Sequence, residues 1–525
     1  MKAQLASALL LALFGCATGL VEPAPGAGSP TGGKVFTFQQ KSLAPAGGAQ
    51  MIEPSELRTA DIVLSAESSP LSSGIRFFTL APVSHAALYV GDGKHRENPN
   101  IRFTAQTVYT NTVPAGAFRG YGVPQGVFAV ELQMERIARA LELDPIEFRL
   151  KNALRAGEAQ PFSKAWSEGR EPVPEYIETC ALDECARRAA EIIGFHEKRN
   201  SAEWHTVPGK PHLRRGVGGA LAMQGTAIPF IDMGGASLKM NDDGSFNLLV
   251  GATDIGTGSD TILAQMVAET VGCEVDDIIV YSSDTDFTPF DVGAYASSTT
   301  FISGGAATRA AQDVAQMIRE VALEFLGDGV SLNDIRLADR KAWAPDGRSV
   351  TLEEIALRSL HSSNQRQIMA VASFNSPVSP PPFTAQFAEV TVDTQTGEVR
   401  VQKLVTVQDS GVIVNPIAAS GQVEGAVTQQ LGYALTEEMP FDEKGRPLMR
   451  TLTDYHIFTA SEMPDLVVEF IQTVEPTHPF GVKAVGEVPM DGVAPAIVNA
   501  IYDAVGAQVN QIPATPERVW RAMNR

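Results

Sequence analysis

Glycine-rich bends that hand a strand-like run over to a helical one constrain this 525-residue chain more than any other feature. "AGAFRGYGVPQG", from Ala115, follows an alternating run and opens a helical pattern in which Ile137, Ala138, Leu141 and Leu143 recur near the helical period. "GATDIGTGSDT", from Gly251, follows a strand pair joined by the hairpin turn "NDDG" and meets a helix starting near Ser259. "YASSTT", from Tyr295, stands ahead of a helix beginning near Phe301, and "GVKAVGE", Gly481 to Glu487, leads into the helical run "PAIVNAIYDAVG" with Gly506 as its stop. Asp144 caps a further helix with Pro145 at its first position, and "DTQTGE" reads as a turn between two strands. Strands and helices therefore alternate around small-residue loops where backbone can approach a ligand closely.

Composition removes several function classes. The 41 basic residues stand against 61 acidic ones, a net charge of -20, which repels phosphate backbones and argues against nucleic acid as a partner. The four cysteines, Cys16, Cys180, Cys185 and Cys273, form no C-x-x-C pair, and Cys180 to Cys185 falls inside a helical pattern, so they read as structural thiols rather than zinc or iron-sulfur ligands. No H-E-x-x-H supports zinc hydrolysis.

The N-terminus reads as three pieces. Residues 1–16 carry one basic residue and a short apolar run from Leu5 to Phe14, too short for a stable span, and resemble a bacterial lipoprotein signal with Cys16 as the lipidated residue and a membrane tether. Residues 17–50 are a Pro/Gly-rich linker. Residues 51–95 form a small α/β fragment in which "SHAALYVGDGK" resembles the permuted papain-like lipoproteins related to the NlpC/P60 hydrolases. That resemblance makes His85 the base of an alternative cysteine-hydrolase activity on amides or esters of cell wall or lipid, which needs a thiolate partner, and a non-catalytic membrane-tethered protein is the remaining alternative.

The remaining residues offer chemistry in the bends. Arg119 supplies a fixed charge able to hold an anion or a developing oxyanion. The loop from Gly251 presents several backbone N–H groups ahead of a helix, an arrangement suited to an anionic group. Ser297, Ser298, Thr299 and Thr300 exceed what one helix cap requires. Glu487, flanked by glycine and valine, is either a charge at the mouth of a helix or a general base.

"GAFRGYGVPQGVFAVE" is similar to the "AFRGFGGPQ" segment of the molybdenum hydroxylases, the xanthine dehydrogenase and aldehyde oxidase family. "GGASLKMNDDGSFNLLVGATDIGTGSDTILAQMVAE", "DVGAYASSTTFISGGAA", "DSGVIVNPIAASGQVEGAVTQQLGYAL" and "GVKAVGE" resemble later segments in the family's order. The resemblance covers residues 96–525 and only the C-terminal part of the family's molybdopterin-binding subunit. It implies an α+β class, multi-layer molybdopterin-binding domains of that type preceded by the small α/β fragment, and hydroxylation of an aldehyde or N-heterocycle such as a purine at an sp2 carbon. Half of the cofactor cage is then expected to come from elsewhere, leaving the chain deficient alone.

The resemblance also implies roles. Glu487 becomes the general base, Lys483 holds it one helical turn away, and Arg119 and Phe118 lie over the metal and substrate. Gly120, Gly256, Thr257, Ala296, Ser297, Thr299 and Gln422 surround the molybdenum cofactor, with Thr257 standing where the xanthine dehydrogenases commonly have glutamine. With no Fe–S or FAD bound by this chain, the expected partners are Fe–S and FAD electron-transfer subunits. The leader points to a periplasmic membrane anchor, the resemblance to the cytoplasm.

Overall fold

The computed structural model describes residues 118–160, 175–451 and 453–525, together with a short antiparallel pair, Gly19–Val21 with Val35–Thr37. Cys16, His85 and the fragment 51–95 lie outside the described residues.

Helix α1 (Val123–Ala140) starts with Pro124 in its first turn, and α2 (Pro145–Asn152) is capped by Asp144, whose carboxylate accepts from the amides of Ile146 and Glu147. The apolar period was expected to run on through Leu143. Instead α1 ends at Ala140, Glu142 takes a left-handed backbone, and Leu143 is exposed, because its amide turns back onto the Ala138 carbonyl. Helix α3 (Leu182–Ile193) contains Cys185 but begins after Cys180, which lies in the preceding loop.

Two four-stranded sheets follow. The first is built from β2 (Met233–Met240), β3 (Phe246–Val250), β4 (Ile278–Ser282) and β8 (Met369–Asn375), in the order β8-β2-β3-β4. Helices α4 (Ser259–Val271) and α5 (Thr299–Leu326) cover it, and Leu238, Phe246, Leu248, Leu263, Phe301 and Ile318 make one core. A three-stranded annex, β5 (Arg336–Ala338), β6 (Lys341–Trp343) and β7 (Ser349–Thr351), leads into α6 (Leu352–His361) at its edge.

The second sheet joins β1 (Leu213–Met223), β9 (Phe383–Asp393), β10 (Val399–Asp409) and β11 (Asp465–Phe470), in the order β11-β10-β9-β1. Successive strand residues point to opposite faces, so Phe387 joins α3 in one core while Ala388 joins α7 (Pro416–Leu435) and α8 (Val493–Val505) in another. A short C-terminal helix, α9 (Pro516–Met523), closes the chain by burying Val519 in that second core.

Helix α8 is the element that positions the site. Its backbone lies on β1 so closely that a Cβ on Gly216 would stand 2.1 Å from the Ala500 carbonyl oxygen, and one on Gly218 2.4 Å from that of Ala496. Ten of its thirteen residues are buried between this sheet and neighbouring helices. Burying Ile497, Val498 and Ile501 contributes about 1.5–3 kcal/mol each. Among the described residues, no helix is long and apolar enough to cross a membrane.

Candidate functional site

The segment carrying Glu487 is extended, not helical. Val482 bridges Gly411, the Ala484 amide donates to Thr226 Oγ1 at 3.1 Å, and Gln408 Nε2 donates to the Val485 carbonyl at 3.1 Å. Beyond Glu487 the chain makes a 3-10 turn, Val488–Met490, on the way to α8. The buried Gln386 of β9 fastens that turn, donating to the Pro489 carbonyl at 2.8 Å and accepting from the Gly492 amide at 2.7 Å. Glu487 is thus fixed from both sides by buried polar groups.

This geometry corrects the expected role of Lys483. Without a helix, no turn brings it to Glu487. Lys483 Nζ lies 3.0 Å from Asp409 Oδ2, with both side chains fully buried, and it also donates to the carbonyls of Thr179 and Pro381. It is a core ion pair that holds the segment, and Asp409, at the end of β10, is its counter-ion.

Glu487 itself has other partners. Gln224 Nε2 donates to its Oε2 at 2.7 Å, and the Gly120 amide donates to its carboxylate. Burial raises its pKa above the ordinary carboxyl range, opposed by those two hydrogen bonds and by the Arg119 charge. The loop of Gly120 is held in an uncommon backbone, with Gly120, Tyr121 and Gly122 all left-handed, so a non-glycine residue there is under local strain.

Arg119 ties the segments together. Its Nε donates to the Gly486 carbonyl at 2.6 Å and its Nη2 to Gln422 Oε1 at 2.9 Å, while Gln422 Nε2 reaches the Gly256 carbonyl at 3.3 Å. A Cβ on Gly486 would stand 3.5 Å from Ser297 Oγ and 3.6 Å from Arg119 Nη2, so the YASSTT loop meets the same place. Ala296 and Ser297 are both left-handed, a second pair of strained residues at one site. Burial lowers the Arg119 pKa against the opposing Glu487 charge, and the guanidinium is basic enough to stay a cation.

The other expected contacts are placed less centrally. Phe118 is half exposed, its ring stacked on Tyr433 with centroids 6.2 Å apart. Thr299 is the first residue of α5, and none of the four hydroxyls caps that helix; Ser298 Oγ instead donates to the Tyr295 carbonyl. The loop from Gly251 was expected to offer its backbone amides to an anion, and three of them are already taken. Asp254 Oδ1 already accepts from the amides of Gly256, Thr257 and Gly258 at 2.9, 2.9 and 3.2 Å, so the chain's own carboxylate fills that nest. What Gly256 offers outward is open space, with nothing within 4 Å of where a Cβ would lie.

Sequence reasoning missed Gln224, Asp254 and Asp491. Asp254 carried a local signal, an acidic residue two before a glycine in a turn. Gln224 carried none, since 263 residues separate it from Glu487.

The donor set suits an organic anionic cofactor rather than a bare ion. It consists of a guanidinium, side-chain amides, a hydroxyl and open glycine faces. Gln224 Oε1 is buried with no partner, a polar atom that a bound group would satisfy. Among the described residues, no group of three or more His, Cys, Asp and Glu is placed to hold a metal. The thiols are no better suited to nucleophilic work, because burial pushes Cys180 up to about 11 and Cys273 up to about 12.

Comparison with known proteins points the same way. A family profile described as a molybdopterin cofactor-binding domain matches residues 188–464, and a second of the same description matches residues 81–153. The chain is 35% identical over 430 residues to a probable hypoxanthine oxidase of Escherichia coli K12, covering 81% of this chain and 44% of that one. It is 37% identical over 424 residues to a putative xanthine dehydrogenase molybdenum-binding subunit of the same strain, covering 80% and 54%. The solved CO dehydrogenase from Oligotropha carboxidovorans superposes with a TM-score of 0.69 at 25% identity, over 77% of this chain and 52% of that one. The chain spans about half the length of the curated relatives it matches.

Proposed function

The chain belongs to the xanthine dehydrogenase family of molybdopterin-binding subunits, and from that premise we propose that it is part of an oxidoreductase that hydroxylates an aldehyde or N-heterocycle, such as a purine, at an sp2 carbon. The supporting observation is the convergence of Glu487, Arg119, Gly120, Gln422, Gly256 and Ser297 from five separate segments onto one place.

In this reading Arg119, Gly256, Thr257, Ala296, Ser297, Thr299 and Gln422 hold the molybdenum cofactor. When bound, that group supplies a two-electron oxidation and the oxygen delivered to carbon. The protein's own part is acid–base work and positioning. Glu487 accepts a proton at its carboxylate, steadied by Gln224 and Gly120, and its raised pKa makes it a stronger base than an exposed glutamate. Arg119 supplies a fixed positive charge that offsets negative charge developing on the substrate. Phe118 and Tyr433 give an aromatic surface beside it.

The finer proposals are electron transfer to separate Fe–S and FAD subunits, for which support lies in relatives named as molybdenum-binding subunits and large chains, and a membrane tether through Cys16, which rests on the leader alone. The test uses chain expressed in a host that makes the cofactor, with the remaining portion of a full-length relative supplied in trans. Glu487→Gln is expected to retain molybdenum near the wild-type ratio and to lose at least ~100-fold in substrate oxidation. Undiminished oxidation in that variant overturns the assignment of the base, and absence of molybdenum from both proteins overturns the cofactor assignment.

A further inference from the structure

Asp491 is a buried acid that the mechanism above leaves unused. It is fully buried, and neither carboxyl oxygen has a hydrogen-bond partner. Buried polar groups are almost always paired, so an orphan beside a functional site calls for an account.

Its position supplies one. Asp491 closes the 3-10 turn that Glu487 opens. Its Oδ1 lies 3.2 Å from where a Cβ on Gly120 would stand, and the amide of the same Gly120 donates to the Glu487 carboxylate. The two carboxyls therefore approach one glycine from two directions.

The surroundings hold little to compensate a second charge. The Gly120 loop brings Arg119, engaged with Gly486 and Gln422, and Tyr121. Helix α7 brings the neutral Gln422, strand β9 the neutral Gln386, and the chain after β1 the neutral Gln224. Glu487 has an amide, a side-chain amide and a guanidinium to favour its anion, while Asp491 has none of these. Two ionised carboxyls in one dry site repel strongly, so only the better supported one ionises.

We propose that Glu487 and Asp491 form a coupled pair that carries one negative charge in neutral solution, placed on Glu487, with Asp491 a protonated positioning residue that keeps the base as the ionised member. The inference rests on Glu487 being the base. Burial and the Glu487 charge both push the Asp491 carboxyl well above its ordinary range, in the same sense as the geometry.

The test needs no cofactor. Infrared spectra of the chain as expressed are taken across the carboxylic-acid C=O region for wild type, Asp491→Asn and Glu487→Gln, with circular dichroism confirming that each variant is folded. At pH 7 an acid band present in wild type is expected to be missing in Asp491→Asn and retained in Glu487→Gln. With the neighbouring charge removed, the band in Glu487→Gln is expected to titrate away about one pH unit or more below its wild-type midpoint. Identical acid bands in wild type and Asp491→Asn at pH 7, or a midpoint unmoved by Glu487→Gln, overturns the pair. A chain that takes up no molybdenum but shows these shifts refutes the cofactor reading and leaves the coupling standing.

Discussion

Lys483 shows how far a single residue's role depends on its partner. Its ammonium and the Asp409 carboxylate are both fully buried and 3.0 Å apart, and Asp409 also accepts from Thr473 Oγ1 and from the amides of Ala181 and Gly411. Removing the cation strands a charge in a dry core, so Lys483→Met is expected to cost roughly 3–5 kcal/mol in urea unfolding. Lys483→Met combined with Asp409→Asn, which leaves no charge behind, is expected to recover much of that loss. If the single variant unfolds at the wild-type midpoint, the pair contributes nothing. The sequence could not show this pairing, because 74 residues separate the partners and the spacing to Glu487 suggested a helix that the segment does not form. Glu487 and Arg119 could be singled out for the opposite reason: each sits in a short glycine-flanked motif whose resemblance to a known family needs no knowledge of the fold.

Elements show a similar split between local and distant information. Asp144 as a cap, the turns after Met240 and Asp393 and the helix starts at Ser259 and near Phe301 were readable because they are set by neighbouring residues. The order β8-β2-β3-β4 and the burial of most of α8 were not, since both depend on segments far apart in the chain. The seam between β1 and α8 is where such a distant constraint fixes residue choice. In Gly218→Ala the new methyl carbon would meet the Ala500 nitrogen at 2.3 Å and the Ala496 carbonyl oxygen at 2.4 Å, both backbone atoms that cannot rotate away. The expected loss is about 1–3 kcal/mol or more, read as a lowered thermal midpoint. Gly421→Ala in α7, with nothing within 4 Å of the added carbon, is expected to be neutral or slightly stabilising. Equal effects at the two positions would mean that α8 does not press on β1 as the structure shows. Because α8 follows directly from the turn after Glu487, the same seam also sets where the base stands.

At the scale of the whole molecule, the acids that burial has pushed upward make folding sensitive to pH. Glu131, Asp232, Glu487 and Asp491 shift in this sense, and Glu175 is raised to about 7, chiefly by burial and further by the charge of Glu475. An unfolded glutamate titrates at about 4.3. Between that pH and about 7, native Glu175 keeps its proton while the unfolded chain has released it, so unfolding gains from every rise in pH across the window. Stability attributable to this group is complete below the unfolded value, declines through the window and is level again above it, a total change on the order of 3 kcal/mol. Glu175→Gln removes the titration and keeps an oxygen able to accept from the Ser379 amide, which now donates to Glu175 Oε1 at 2.6 Å. Urea unfolding at pH 5 and pH 8 checks this. Wild type is expected to lose stability relative to Glu175→Gln on going to pH 8, by a margin close to that change. Parallel behaviour of the two proteins would show that Glu175 is ionised in the folded chain, and that the charge beside Glu475 is compensated by groups other than those described.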